Sequence, residues 1–416
     1  MKVLVIGHSS YDISCPVDQY PVENTKYRLD GCVMCGGGPA ANAAFLLGKW
    51  GVETYYAGVV GSDDFGTKIK KEFETIGVKT DCLEVNYEKP TSISFIMINK
   101  QNGSRTLFNV ATDRPNMKRY DFTMEPDIIL TDGHEYQATM NAYNKYPNAI
   151  KIVDAGRITP ELKEICKYST YLVSSKGFAE TITKTKIDYA NPNTLVQVYT
   201  ALKNNYPKSE IIVTLEDKGA LYAVNNEIKI MPGLKLQPVD TTGCGDIFHG
   251  AFTYAISKGF DLEKCVRYAN IAAGLSVQKI GARLSIPSLV EVSNYYNEKF
   301  PSAGGTASPQ EPNQAPVQTT PQQGNPASTQ NVDATAKQTA APAPEVQNEF
   351  ITEQAPVTPS VAVPDTPVME NTSVSNAFEV PSVPDAPQTP APSNSFSETP
   401  VSTEEPVKKT ISEMKW

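Results

Sequence analysis

Val239-Asp240-Thr241-Thr242-Gly243-Cys244-Gly245-Asp246-Ile247-Phe248-His249-Gly250-Ala251-Phe252 sets two glycines and a carboxylate at the start of an apolar run. The run predicts a helix beginning near Asp246. Gly243 and Gly245 let the backbone turn sharply and expose its amides. The first N–H groups of a helix have no internal partner, and the helix dipole adds positive potential there. Such a place binds anions, phosphate above all. A carboxylate beside a phosphate cradle is anomalous unless it removes a proton, which makes Asp246 the candidate base. A glycine-rich helix start of purely structural purpose has the same local look, so the rest of the chain has to decide.

Working outward, Gly36-Gly37-Gly38-Pro39-Ala40-Ala41-Asn42-Ala43-Ala44 is a second glycine turn running into a helix of small residues. Glycines admit a ligand close to the backbone, and Asn42 offers a polyol both a donor and an acceptor. Asp12 follows the first apolar run, in Gly7-His8-Ser9-Ser10-Tyr11-Asp12. Ser92 to Asn99 alternates with period two, and Asn102-Gly103 turns it into Arg105 to Val110, a hairpin. With the segment from Ile13 to Val33, it predicts a small sheet standing off the main body.

Elsewhere in residues 1–300, short β-rich runs alternate with helical patterns, the signature of α/β layering. Predicted strands are Val3 to Ile6, Thr54 to Val60, Ile128 to Leu130, Ile150 to Val153, Tyr171 to Val173 and Ile211 to Leu215. Predicted helices are Pro39 to Trp50, Phe65 to Ile76, Asp246 to Ser257 and Leu262 to Val277. In Gly58-Val59-Val60-Gly61-Ser62-Asp63-Asp64-Phe65-Gly66 the Asp reads as a helix cap.

The two glycine signatures, in this order, resemble the PfkB (ribokinase-like) family of carbohydrate kinases, whose C-terminal signature reads Asp-Thr-x-Gly-Ala-Gly-Asp. Cys244 stands where alanine is usual. The resemblance covers about residues 1–290 and is nearest the sugar-kinase branch that includes ribokinase, ketohexokinase and sulfofructose kinase. It implies a three-layer α/β/α fold with a central, mostly parallel sheet and a small β lid, here from about 12–35 and 91–113. It also implies transfer of the γ-phosphoryl group of ATP to a sugar primary hydroxyl, with Asp246 as base and the amides of Gly243, Cys244 and Gly245 as an anion hole. Asp12, Gly37, Gly38 and Asn42 would contact the sugar. Arg105 on the hairpin either reaches the substrate or is a solvated edge charge. Thr214, Glu216, Gly219 and Asn270 would lie along ATP, with Glu216 standing where the family usually has Gly. Asp240, Thr242 and Ser285 would surround a monovalent cation such as K⁺. Mg²⁺ is implied as cofactor. The family's Asn-x-x-Glu, which helps to organise magnesium, is missing from Tyr171 to Glu180, where Glu180 is the candidate carboxylate. A nucleoside kinase, a phosphosugar kinase served by Arg105, Arg114 and Lys118, and an inactive sugar-binding scaffold stay open as alternatives.

Composition separates a tail. From Pro301 to Trp416 the 416-residue chain has 19 of its 32 prolines, no Tyr and no Arg. Four Lys against 13 Asp and Glu there account for the whole net charge of -9. Such a segment buries too little apolar surface to offset chain entropy and is expected to be disordered. Val407, Ile411 and Met414 share one helical face near its end, a partner-binding segment or a frayed terminus, with the partner unknown. The balanced charge of residues 1–300 gives no nucleic-acid surface, and no run is long enough to span a membrane. Seven cysteines without an export signal read as reduced thiols in the cytoplasm, and the Cys32–Cys35 spacing reads as chance. Relatives of this kind often pair through the lid, which makes a homodimer the expected assembly.

Overall fold

The computed structural model describes residues 1–110 and 116–301. The expected disordered tail and Arg114 lie outside the described residues. In chain order the elements begin β1 (Lys2–Ile6), β2 (Ser10–Val17), β3 (Val33–Gly37), α1 (Pro39–Lys49), β4 (Glu53–Gly61), α2 (Asp64–Thr75), β5 (Leu83–Asn86), β6 (Ile93–Asn99) and β7 (Arg105–Val110). They continue β8 (Ile128–Thr131), α3 (Tyr136–Lys145), β9 (Ile150–Ala155), α4 (Pro160–Cys166), β10 (Tyr171–Ser175), α5 (Lys176–Thr183), α6 (Asn193–Asn205) and β11 (Glu210–Thr214). The last are β12 (Ala220–Val224), β13 (Glu227–Met231), α7 (Cys244–Ser257), α8 (Leu262–Ser276) and α9 (Leu289–Lys299).

Strands apolar at every position have two faces to bury, and this dictates three layers. Val3 and Val5 of β1 join one core with residues of α1, α7 and α8, while Leu4 and Ile6 join a second with residues of α3, α4 and α6. The nine-stranded sheet runs β13-β12-β11-β10-β9-β8-β1-β4-β5. Its pairs are parallel except β11–β12 and β12–β13. Asp63 caps α2, its carboxylate accepting from Gly66 N at 2.8 Å, as its place in the sequence predicts.

The expected second sheet is four-stranded, β3-β2-β6-β7. Its register puts Cys35, Asp12, Ser94 and Asn109 in one cross-strand row. Met34, Ile13, Phe95 and Phe108 form the neighbouring row, which points to the opposite face. Asp12 and Cys35 are buried, whereas Met34, Phe95 and Phe108 are each about half exposed. The usual amphipathic sense is thus inverted, with a polar row turned inward and an apolar row outward.

One expectation fails. The cysteines are not all thiols: Cys15 and Cys32 are joined as a disulfide, with Cα atoms 4.5 Å apart, and five cysteines are free. The antiparallel register that pairs Ser14 with Val33 sets Cys15 opposite Cys32. A count of cysteines carries no information on that register. Among the described residues no helix is long and apolar enough to cross a membrane.

Candidate active site

The site gathers at the carboxyl ends of β1, β8 and β9 and at the N-terminus of α7, where ligands bind in open α/β sheets. Gly243 precedes α7 with φ 78°, and a Cβ there would lie 2.6 Å from that of Ala282. Glycine is therefore required twice over, by conformation and by space. The amide of Cys244 turns back to Thr241 O at 3.4 Å. Among the described residues no acceptor is bonded to the amides of Gly243 and Gly245, and the space a Cβ of Gly245 would enter is open.

Asp246 is in the first turn of α7. Its Oδ2 accepts from Asn42 Nδ2 at 2.7 Å, which ties α7 to α1. Gly250, one turn on, lets α1 approach: a Cβ there would be 3.1 Å from Ala43 O. Burial, then the nearby carboxylate of Asp154, pushes the Asp246 pKa up to about 7, against the opposing pull of Asn42, His249 and Arg105. Asp154, also raised by burial, lies 3.3 Å from Nδ1 of His249. The His249 ring is wedged between Gly245 O, 2.6 Å from Nδ1, and Val173 O, 3.1 Å from Nε2.

Asp12 and Gly37 meet directly. The Asp12 carboxylate occupies the space a Gly37 side chain would fill, with Oδ2 2.0 Å from that Cβ position. Ser10 Oγ donates to Asp12 Oδ1 at 2.8 Å, and burial raises the Asp12 pKa. Gly38 (φ 95°) brings the start of α1 against His8 O. Asp132, at the end of β8, accepts from His8 N and Ala40 N and so ties this turn to the sheet.

Arg105 is exposed at the start of β7. Its Nη1 donates to Thr241 Oγ1 at 2.8 Å, and Thr241 also bonds Gly103 O through its amide and hydroxyl. The hairpin tip is clasped to the loop that leads into α7.

Glu216, just after β11, adopts φ 58°. It thus keeps the left-handed backbone a glycine would provide, so the substitution changes the side chain and not the turn. Gly219 (φ 98°) packs against Met231 O, where a Cβ would come within 1.9 Å. Asn270 Nδ2 donates to Pro232 O at 2.6 Å and lines a cavity of ≈ 610 Å³ with Gly233 and Leu234. Gly219 and Asn270 therefore converge on one segment. Thr214 ends β11, its hydroxyl 3.4 Å from Ser174 O. Asp240 accepts from Thr242 N, Thr242 Oγ1 and Gly281 N, leaving about one of its lone pairs. The Ser285 hydroxyl donates to Ala282 O at 3.0 Å. Glu180 accepts from Lys186 Nζ at 2.7 Å on one oxygen and from Ile187 N at 3.0 Å on the other.

Residues 1–289 match the family described as pfkB family carbohydrate kinase. The chain belongs to that family of kinases. The ribokinase of Bacillus subtilis is 26% identical over 298 residues, covering 70% of this chain and 98% of its own. A nucleoside kinase of Methanocaldococcus jannaschii is 26% identical over 296 residues, covering 69% of this chain and 94% of its own. The structure of Arabidopsis thaliana ribokinase complexed with ribose and ATP superposes with TM-score 0.58 at 24% identity, covering 70% of this chain and 97% of that one.

The kinase has site neighbours that sequence reasoning missed: Asp154, His249, Thr241 and Arg283. Two carried a readable signal. Asp154 closes a buried apolar strand, where open sheets place functional groups, and His249 follows Asp246 by one helical turn. Arg283 had none.

The raised Asp246 pKa has a consequence for stability. The protonated carboxyl favours the folded state, and that contribution is complete below the unfolded carboxylate pKa of ~3.9. It is lost as pH rises through about 7. Asp246→Asn is therefore expected to match the parent in thermal unfolding near pH 4 and to melt higher than the parent at pH 8. A difference that does not change with pH would refute the assignment of a raised pKa.

Proposed function

We propose that this kinase transfers the γ-phosphoryl group of ATP to a primary hydroxyl of a monosaccharide, with Asp246 as the base. The observation that carries the reading is the Asp246 carboxylate itself. It is held in the first turn of α7 by Asn42 of α1, and its pKa is raised to about 7. A base is most effective when its pKa lies near the working pH.

In this reading the substrate enters between the Gly37-Gly38 turn and α7. Asp12 and Asn42 hold its hydroxyls, and Asp246 takes the proton of the attacking one. The amides of Gly243, Cys244 and Gly245 stabilise charge on the moving phosphoryl group, those of Gly243 and Gly245 without a competing acceptor among the described residues. Arg105, clasped to Thr241, adds positive charge above the same loop. Thr214, Glu216, Gly219 and Asn270 line the ATP path. The Arabidopsis relative bound to ribose and ATP supports this pairing of substrates.

Magnesium would neutralise charge on the ATP phosphates. Glu180, the carboxylate the sequence offers for it, would help to hold it together with phosphate oxygens and water. Potassium would find an Asp240 lone pair and the hydroxyls of Thr242 and Ser285, and would stiffen the loop before α7. ATP as donor goes with a cytoplasmic location.

A nucleoside acceptor is the second reading, favoured by the Methanocaldococcus relative. ADP release with magnesium–ATP across a panel of sugars, phosphosugars and nucleosides separates the classes. A positioned base contributes ~10²–10⁴-fold, so Asp246→Asn should lose at least about 10²-fold in turnover and keep ATP binding. Near-normal turnover in that variant would overturn the role given to Asp246.

The reading assigns catalysis to residues 1–300 and assembly to the lid. The outward row Met34, Ile13, Phe95 and Phe108 is apolar surface suited to cover by a second copy. A chain ending at residue 300 should keep full turnover and should run as a dimer in light scattering. A large loss of activity would make the tail part of the catalytic unit, and a monomer would remove the lid interface.

A further inference from the structure

Arg283 is the largest side chain that is fully buried, at 1% exposed, and it is not part of either glycine signature. A guanidinium withdrawn from water is costly unless it is paired and hydrogen-bonded. Arg283 directs two of its nitrogens at protein acceptors, while Nη2 is buried with no acceptor among the described residues. Nη1 donates to Glu72 Oε2 at 2.6 Å, and Nε donates to Asn42 Oδ1 at 3.3 Å. Its planar carbon sits 4.6 Å from the Phe73 ring and 5.2 Å from that of Phe45, which close it off from solvent. Glu72 in turn accepts the amide of Gly36 with both oxygens at 3.1 Å. A side chain on Gly36 would strike the guanidinium, 2.1 Å from Nη1. The glycine of the sugar-side turn is thus also the seat of this arginine.

The amide of Asn42 has an oxygen and an NH₂ group of nearly equal shape, and its neighbours decide which way it faces. Arginine has donors only, so the amide oxygen must turn towards it. That leaves the NH₂ group for Asp246 Oδ2 at 2.7 Å. In the reverse orientation two oxygens would face each other across that gap.

We propose that Arg283, anchored by Glu72, is a positioning residue for phosphoryl transfer: it locks the Asn42 amide so that its NH₂ group always faces Asp246. The proposal rests on the reading of Asp246 as base. A donor permanently offered to that carboxylate favours its ionised, proton-accepting form. The other groups facing Asp246 are Asp154 from β9, His249 and Cys244 from α7, and Arg105 from β7, and a substitution at Arg283 leaves all of them in place.

The test is the pH profile of kcat/KM for the full chain on the acceptor identified by the panel. Arg283→Met, Asn42→Ala and the double variant are each compared with the parent. Losing the oriented hydrogen bond should move the acid limb of Arg283→Met upward by roughly one pH unit. Asn42→Ala should move it by a similar amount, and the double variant no further than Asn42→Ala alone. Arg283→Lys keeps the charge and most of the volume but cannot bridge Glu72 and Asn42 together. It should shift the limb in the same direction, and it serves as the test if the methionine variant does not fold. An unmoved limb in a folded Arg283 variant would overturn the proposal, as would shifts that add in the double variant. Asp246→Asn separates the two levels. If it is inactive while the Arg283 limb stays put, only the positioning role fails; if it remains active, the base reading fails as well.

Discussion

The hydrogen bond from Asn42 to Asp246 joins two parts of the chain 204 residues apart, and the rest of the site is arranged around it. It requires α1 and α7 to lie side by side at the same end of the sheet. That in turn requires Gly250 against Ala43, and a β3 that ends at Gly37 so that Gly38 meets His8 just beyond β1. A carboxylate at a helix N-terminus is ordinarily held in its ionised form. Here burial and the neighbouring Asp154 outweigh that effect. The molecule thus keeps a carboxyl of raised proton affinity in the first turn of a helix, where the dipole alone would favour the ionised form.

The lid shows how a small sheet can serve two masters. Its inner row carries Asp12 to the site, and its tip reaches Thr241 through Gly103 and Arg105. The loop that leads into α7 and the hairpin of the second sheet are therefore in direct contact. The Cys15–Cys32 bridge ties the outgoing and returning strands of this sheet together close to the same region.

Much of this was legible in the sequence because the signals are local. Unbroken apolar strands such as Val3 to Ile6 require a sheet buried on both faces. The Asn102-Gly103 turn announces the lid hairpin, and two glycine turns each running into a helix of small residues mark the two ends of the site. What stayed hidden depends on long-range register. Cys15 meets Cys32 only because β2 and β3 pair antiparallel, and Arg283 meets Asn42 only after the chain has folded across 241 residues. Helices such as Tyr136–Lys145 escaped because their buried faces are small, here Ala138, Thr139, Ala142 and Tyr143, and weakly patterned. Glu216 stands where the family usually has Gly, and its backbone keeps the left-handed conformation that a glycine would supply.

The most direct measurement of the central claim is a crystal structure of the protein with its accepted substrate and a non-hydrolysable ATP analogue. The account predicts that the acceptor hydroxyl lies between Asp246 and the terminal phosphate, within ~2.6–3.2 Å of a carboxylate oxygen. The phosphate should rest against the amides of Gly243 and Gly245. A hydroxyl bonded elsewhere, with Asp246 turned away from it, would contradict the account.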